Sequence, residues 1–307
     1  MRKTFTLLLM SVLLLVSCGR SDEEARRQSK IEKARRDSVY CAAFKVAVMP
    51  TLDCLPLFYA KEQGYFDSLG VDVRLPMFYA QMDCDTAIAG GSVEGSVTDL
   101  VRAERLVKKG TPLRYEIATN AYWQLIASQR ARVKTVAQLS DKIVAITRFS
   151  ATDKLATMAV DSSKPKNEVY RVQINSVRVR LDMLHNNLLD AAFFTEPQAT
   201  SARIGTAQAP ARNPVLADSR KMGANWGVFA FREKALRERG RKEQLARFLK
   251  AYDRACDSIN KNGVRHYADI IKKYCHVDER VIRALPSLKY PRTKAPATED
   301  IMKARRQ

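Results

Sequence analysis

The pattern of apolar and polar positions changes character at Phe44. Residues 19–38 are almost entirely polar, whereas beyond Phe44 short apolar runs alternate with longer stretches of helical periodicity. Such alternation predicts an α/β fold with mostly parallel strands, because a strand buried on both faces needs a helical crossover to reach its neighbour. Strands are expected at 44–49, 71–75, 114–119, 122–128, 142–147, 169–174, 190–194 and 226–231. Helices are expected near 56–63, 82–89, 98–108, 151–161, 177–187, 197–204 and 232–261.

Both halves of the chain carry the alternation, extended runs around 125–132 and 222–230 join them, and no strand follows the helical tail from 232. Two lobes with two chain crossings are therefore expected. The first lobe would begin with 39–128, the second would take 129–224, and 225–307 would return to the first and end in helices. Ligands of open α/β sheets bind beyond the carboxyl ends of the strands, which directs attention to the loops there.

The amino terminus sets the expected compartment. Arg2 and Lys3 precede an apolar run over 6–16 that is too short to span a bilayer, the form of a secretory leader over 1–17. It ends in Leu15-Val16-Ser17-Cys18-Gly19, which resembles a bacterial lipobox, so lipidation is expected at Cys18 and residues 18–38 would be a polar tether. Lipid on Cys18 would anchor the protein to a membrane, facing the periplasm. The acidic Ser21-Asp22-Glu23-Glu24 behind it is similar to a lipoprotein export signal and keeps the cell surface open as a location.

The net charge of +20, from 53 Lys+Arg against 33 Asp+Glu, would suit an anionic surface. Export, and basic residues dispersed without any zinc-finger, RNP or basic-zipper pattern, argue against a nucleic-acid partner. After Cys18 the cysteines are Cys41, Cys54, Cys84, Cys256 and Cys275, an odd number with no C-x-x-C pair. This argues against a metal site, and leaves both disulfide pairing and buried free thiols open.

Four loops carry candidate binding chemistry. In Pro50-Thr51-Leu52-Asp53-Cys54-Leu55-Pro56, the backbone amides and the Asp53 side chain would face the cleft, although Asp53 equally suits a helix cap. Gly95-Ser96-Val97-Thr98-Asp99 reads as a small polar turn opening a helix, whose orphan amides favour anions or ligand oxygens, with capping by Thr98 or Asp99 as the other explanation. Ser150 and Thr152, in Arg148-Phe149-Ser150-Ala151-Thr152, would form with free amides a nest for a carboxylate, sulfonate, phosphate or carbonyl, or else merely cap the helix. Glu196, leaving the apolar strand at Phe193-Phe194, needs a partner, either a ligand amino group or a neighbouring Arg.

Enzyme signatures are missing: there is no G-x-S-x-G, P-loop, G-x-G-x-x-G or H-E-x-x-H, and His185, His266 and His276 sit away from the four loops. No catalytic residue and no cofactor are expected. The run from Leu55 through Lys61-Glu62-Gln63-Gly64-Tyr65-Phe66 to Leu69-Gly70-Val71-Asp72-Val73, with 136–142 and with Met183–Ala192 leading into Glu196-Pro197, resembles one particular family. That family is the type 2 periplasmic substrate-binding proteins of ABC transporters, in the branch for nitrate, sulfonates, taurine and thiamine-pyrimidine precursors.

The resemblance covers about residues 44–260 and implies a two-lobed periplasmic-binding-protein-like fold that closes on a ligand in the cleft between lobes. It implies contacts from Asp53, Cys54, Ser96 to Thr98, Ser150, Thr152 and Glu196, with Trp123 and Trp226 as ring-stacking or core residues. A related eukaryotic branch is enzymatic, but its consumed histidine and cysteine-rich iron motif have no counterpart here. The expected function is therefore the lipid-anchored solute receptor of an ABC importer, working with a permease and an ATPase. Glu196 and the two tryptophans favour a thiamine pyrimidine precursor over sulfonate or nitrate as the solute. The alternative is an envelope or cell-surface scaffold that retains the fold.

Overall fold

The computed structural model describes residues 23–306. The leader at 1–17, Cys18 and the first residues of the tether lie outside the described residues. From residue 23 the polar segment is a helix, α1 (residues 23–42), with every side chain exposed. Its Glu, Arg, Lys, Gln and Ala content favours a helix but offers nothing to bury. It belongs to a unit ending at Ala43, separate from the one that starts at Phe44.

The second unit runs β1 (Phe44–Ala47), α2 (Leu55–Glu62), α3 (Tyr65–Ser68), β2 (Val73–Arg74), α4 (Gln81–Gly90), β3 (Gly95–Asp99), α5 (Leu100–Lys108), β4 (Leu113–Ala118), β5 (Gln124–Ala127) and β6 (Ile143–Ile146). It continues α6 (Ala151–Ser163), β7 (Tyr170–Gln173), α7 (Val177–His185), β8 (Ala191–Phe194), α8 (Gln198–Ile204), β9 (Val215–Asp218), β10 (Gly227–Arg232), α9 (Glu233–Leu236), α10 (Arg241–Asn262), α11 (Ala268–Cys275), α12 (Glu279–Ala284) and α13 (Thr298–Arg305). These strands build two five-stranded sheets, ordered β2-β1-β3-β10-β4 and β7-β6-β8-β5-β9. The core strands are parallel, and each sheet takes one antiparallel member from beyond a crossing, β10 between β3 and β4 and β5 between β8 and β9.

The strand expected at 122–128 thus joins the second sheet, and the crossings lie between β4 and β5 and between β9 and β10. The expected boundary after 128 is corrected accordingly: β5 is as apolar as any first-sheet strand, so its sequence alone does not say which sheet it enters. Two strands lie outside the expected ones: β3, which has no apolar run, and β9, whose run is only Val215-Leu216-Ala217. The segment expected as a polar turn at 95–99 is the central strand β3, buried along its length. It must be small, since a Cβ on Gly95 would lie 2.4 Å from the Phe231 ring.

One helix expected over 232–261 is two, α9 and α10, because Gly240 takes φ 78° between them. From there Leu245, Phe248, Tyr252, Ala255 and Ile259 recur at helical spacing on the buried face of α10. Phe248 stands at the middle of a ring cluster, with centroids 5.6 Å from Phe44, 5.6 Å from Phe66 and 5.7 Å from Phe231. Cys54, Cys84, Cys256 and Cys275 are buried free thiols that fill this packing as small apolar groups.

No helix of the described residues is long and apolar enough to cross a membrane. Replacing Phe248 by Ala should cost about 3–5 kcal/mol of stability, since the cavity left among three other rings cannot collapse onto a rigid sheet. Urea unfolding of Phe248→Ala measures this, and a loss below about 1 kcal/mol would show that α10 is not anchored there.

Candidate functional site

The carboxyl ends of both sheets converge on one cavity of about 70 Å³. That is room for a handful of water-sized groups. Met49, Thr51 and Asp53 reach it from the loop after β1, Val97 to Asp99 from β3, and Gln81 from the start of α4. Thr147, Ser150 and Thr152 come from the second sheet's β6–α6 turn, Arg180 from α7, Phe193 to Thr195 from the end of β8, and Trp123 from the first crossing. Of the residues expected to bind, Asp53, Thr98, Trp123, Ser150 and Thr152 meet there. Cys54, Ser96, Glu196 and Trp226 do not.

Each departure has a physical reason. Cys54 ends a 3₁₀ turn with its thiol in the first core, accepting from the Thr51 hydroxyl at 3.8 Å. Ser96 lies within β3 and donates to the Val97 carbonyl at 2.9 Å. Trp226 is 1% exposed and packs with Leu100, Val228 and Ile146 in a second core. Glu196 is already satisfied: its carboxylate accepts from the Tyr122 hydroxyl (2.8 Å), the Thr200 amide (3.0 Å) and Arg203 (3.2 Å). Arg203 thus supplies the arginine partner expected for it.

The hydroxyl nest is also spoken for. Ser150 caps α6 by accepting from the Thr152 amide at 3.1 Å, and its hydroxyl lies 2.6 Å from the Thr147 carbonyl and 2.8 Å from the Thr152 hydroxyl. The Thr152 hydroxyl also accepts from the Thr147 amide at 2.9 Å. The remaining amide, that of Ala151, donates to Asp99 Oδ1 at 3.0 Å, and the same oxygen receives the Arg102 amide at 3.0 Å. One buried carboxylate of the first sheet therefore serves the opening turns of both α5 and α6. A second clasp pairs the Leu52 amide with the Glu196 carbonyl at 2.8 Å, and a third runs from the Gln198 side chain to the Pro50 carbonyl at 2.8 Å.

What these bonds leave over is specific. Asp53 is buried, its Oδ2 takes a long contact from the Thr119 hydroxyl at 3.4 Å, the Thr51 side chain and the Asp53 and Cys54 amides lie toward its carboxylate, and its Oδ1 makes no hydrogen bond of good geometry. Burial raises its pKa. Arg180 is 3% exposed and donates only to neutral oxygens, those of Ile174, Phe193 and Thr147. No carboxylate among the described residues pairs with it, and burial lowers its pKa to about 10, which leaves it cationic at neutral pH. Sequence reading passed over Arg180. Its only signal was position, three residues after Val177 and four before Leu184 on the buried face of a helix.

Burial raises the Asp99 pKa to about 6 from the ordinary 3.8, against the lowering by Arg102 and by the two amides. An acid with a raised folded pKa holds its proton more tightly folded than unfolded, so its contribution to stability grows as pH falls from about 6 toward 3.8. Between pH 7 and pH 4 the wild type should gain up to about 3 kcal/mol relative to Asp99→Asn. Urea unfolding of both proteins across that range checks the sign, and a gain on raising the pH would contradict it.

Comparison with known proteins adds the lineage. The family model described as NMT1/THI5 like matches residues 51–263. No curated protein matches the sequence. Among solved structures, the chain is similar to the alkanesulfonate-binding protein of Xanthomonas axonopodis pv. citri bound to MOPS, at 14% identity and TM-score 0.67, covering 86% of this chain and 89% of that one. It is similar to the ligand-binding component of an ABC-type import system from Staphylococcus aureus, with zinc bound, at 14% identity and TM-score 0.67 over 85% and 90% of the two chains. A Candida albicans gene product with the generic periplasmic binding protein fold aligns at 15% identity and TM-score 0.60, over 80% and 81%.

Proposed function

Because the chain belongs to the NMT1/THI5-like family and has the fold of periplasmic binding proteins, we propose that it is the solute-binding component of an ABC importer rather than an enzyme. In this reading it is exported, held at a membrane by lipid on Cys18 and exposed to the periplasm. It closes its two sheets on a small solute, hinging at the crossings 119–123 and 219–226, and presents that state to a permease with its ATPase.

The observation that carries the reading is a pair of unmet demands in one cavity, the free Oδ1 of Asp53 and the uncompensated charge of Arg180. A buried carboxylate oxygen without a donor, and a buried cation without an anion, are each costly, and a ligand that supplies both removes the cost. The solute is thus a small one with an N–H donor for Asp53 and an acceptor or anionic group for Arg180. An amino-bearing ring of the thiamine-pyrimidine type meets this description, with Asp53 in the role first expected of Glu196 and Trp123 as the aromatic wall. Nitrate or a plain sulfonate would bring nothing for Asp53. A small aminosulfonate is the second reading, favoured by the charge of Arg180.

A thermal-shift screen across aminopyrimidines, aminosulfonates, plain sulfonates, nitrate and amino acids tests the assignment. Ligand at a hundred times its dissociation constant adds about 2.7 kcal/mol, a midpoint rise of several degrees. The rise is expected for a donor-bearing class, to be lost in Asp53→Asn and retained in Glu196→Gln. A flat screen would favour the scaffold alternative, and a plain anion acting alone would overturn the role of Asp53.

A further inference from the structure

A second cavity, of about 370 Å³, opens among α5, α6 and α13 and shares only Ser150 with the first. Its walls are strongly basic. Arg305 is paired with Glu104, and Arg171 reaches Asp153 at 3.5 Å. Arg105, Lys108, Lys154 and Arg306 line the same cavity, and among the described residues none of the four has a carboxylate partner.

Two of these cations are held in place. The Arg105 guanidinium lies 3.5 Å from the centroid of Phe149, and Lys154 donates to the carbonyls of Lys303, Ala304 (3.2 Å) and Arg306 at the end of α13. Burial, and then the charges of Lys108 and Arg306, lower the Lys154 pKa, so these groups repel one another across the space. Phe149 itself is 54% exposed and sits at φ 59°, a left-handed backbone that a bulky side chain adopts at a cost, fixed by its amide donating to Asp153 at 2.8 Å. An exposed aromatic kept in a strained conformation on the wall of a concentrated positive field has the makings of a ligand platform.

We propose that this cavity binds a small polyanion, phosphorylated or polycarboxylate, whose charges meet Arg105, Lys108 and Arg306 and whose apolar part lies on Phe149, while Lys154, its three donors spent on the carbonyls of α13, adds its charge to the field from the wall. The concavity is of small-molecule size, which distinguishes it from a flat patch suited to a macromolecule. Arginine also offers paired donors to phosphate and carboxylate oxygens. The site is independent of the importer reading, since its cations and Phe149 do not contact the first cavity.

Calorimetric titration of the full chain with inorganic pyrophosphate and with citrate tests this. One-to-one saturable binding of at least one is expected, weakened about tenfold or more in Arg105→Ala/Lys108→Ala, because each charge-assisted bond lost is worth roughly that factor. Arg239→Ala/Lys242→Ala, which removes the same charge from exposed positions elsewhere, should bind as the wild type does, as should Asp53→Asn. Equal weakening by the two double variants would reduce the effect to net charge and overturn the proposal. So would the lack of saturable binding, or binding only to phosphatidylglycerol vesicles, which would assign the cations to a lipid surface.

Discussion

One buried carboxylate oxygen ties together the helix openings of both halves of the binding region. Asp99 stands at the end of β3 in the first sheet, and its Oδ1 closes the first turn of α5 and the first turn of α6, which follows a strand of the second sheet. Helix openings attract negative charge because their amides point outward unsatisfied. By spending the α6 opening on Asp99, the protein fills from within the place where an anionic ligand would otherwise sit. With the Leu52–Glu196 and Gln198–Pro50 bonds, the Asp99 bond sets the spacing between the sheets around the cavity.

The remainder of the site follows by elimination of satisfied groups. Ser150 and Thr152 bond to each other and to Thr147, Glu196 to Tyr122, Thr200 and Arg203, and Arg102 pairs with Asp85 while also reaching the Arg148 carbonyl. In a region so fully bonded, Asp53 and Arg180 stand out because their chemistry is incomplete. A donor-and-acceptor solute between them completes it, and the small volume excludes most of what a more open cleft would admit.

Most of the architecture was legible in the sequence because buried parallel strands must be apolar throughout. The strands at 143–146 and 191–194 announce themselves in this way, and that at 44–47 does so despite its buried Lys45. β3 does not, because close approach to Phe231 and its role as a binding edge demand small and polar residues in a central strand. The allocation of β5 was hidden for a different reason: pairing partners are a property of the whole sheet and leave no mark on a short run such as Gln124-Leu125-Ile126-Ala127. At the cavity, the loops named from sequence come together, with Asp53, Thr98, Trp123, Ser150 and Thr152 lining it. The sequence could not say which polar groups would be consumed by one another, as at Glu196, nor that an arginine in an ordinary-looking helix would be buried without a counter-ion.

The central claim is that Asp53 and Arg180 face a bound solute. Native mass spectrometry of the protein, isolated gently from cells with its solute present, tests it whatever the identity of the ligand. The account predicts one small organic adduct at a stoichiometry of one, carrying both a nitrogen donor and an acceptor or acidic group, that disappears when Asp53→Asn and Arg180→Met are combined in a chain that still folds. An adduct that persists in this double variant, or a species identified as a simple inorganic anion, would contradict it.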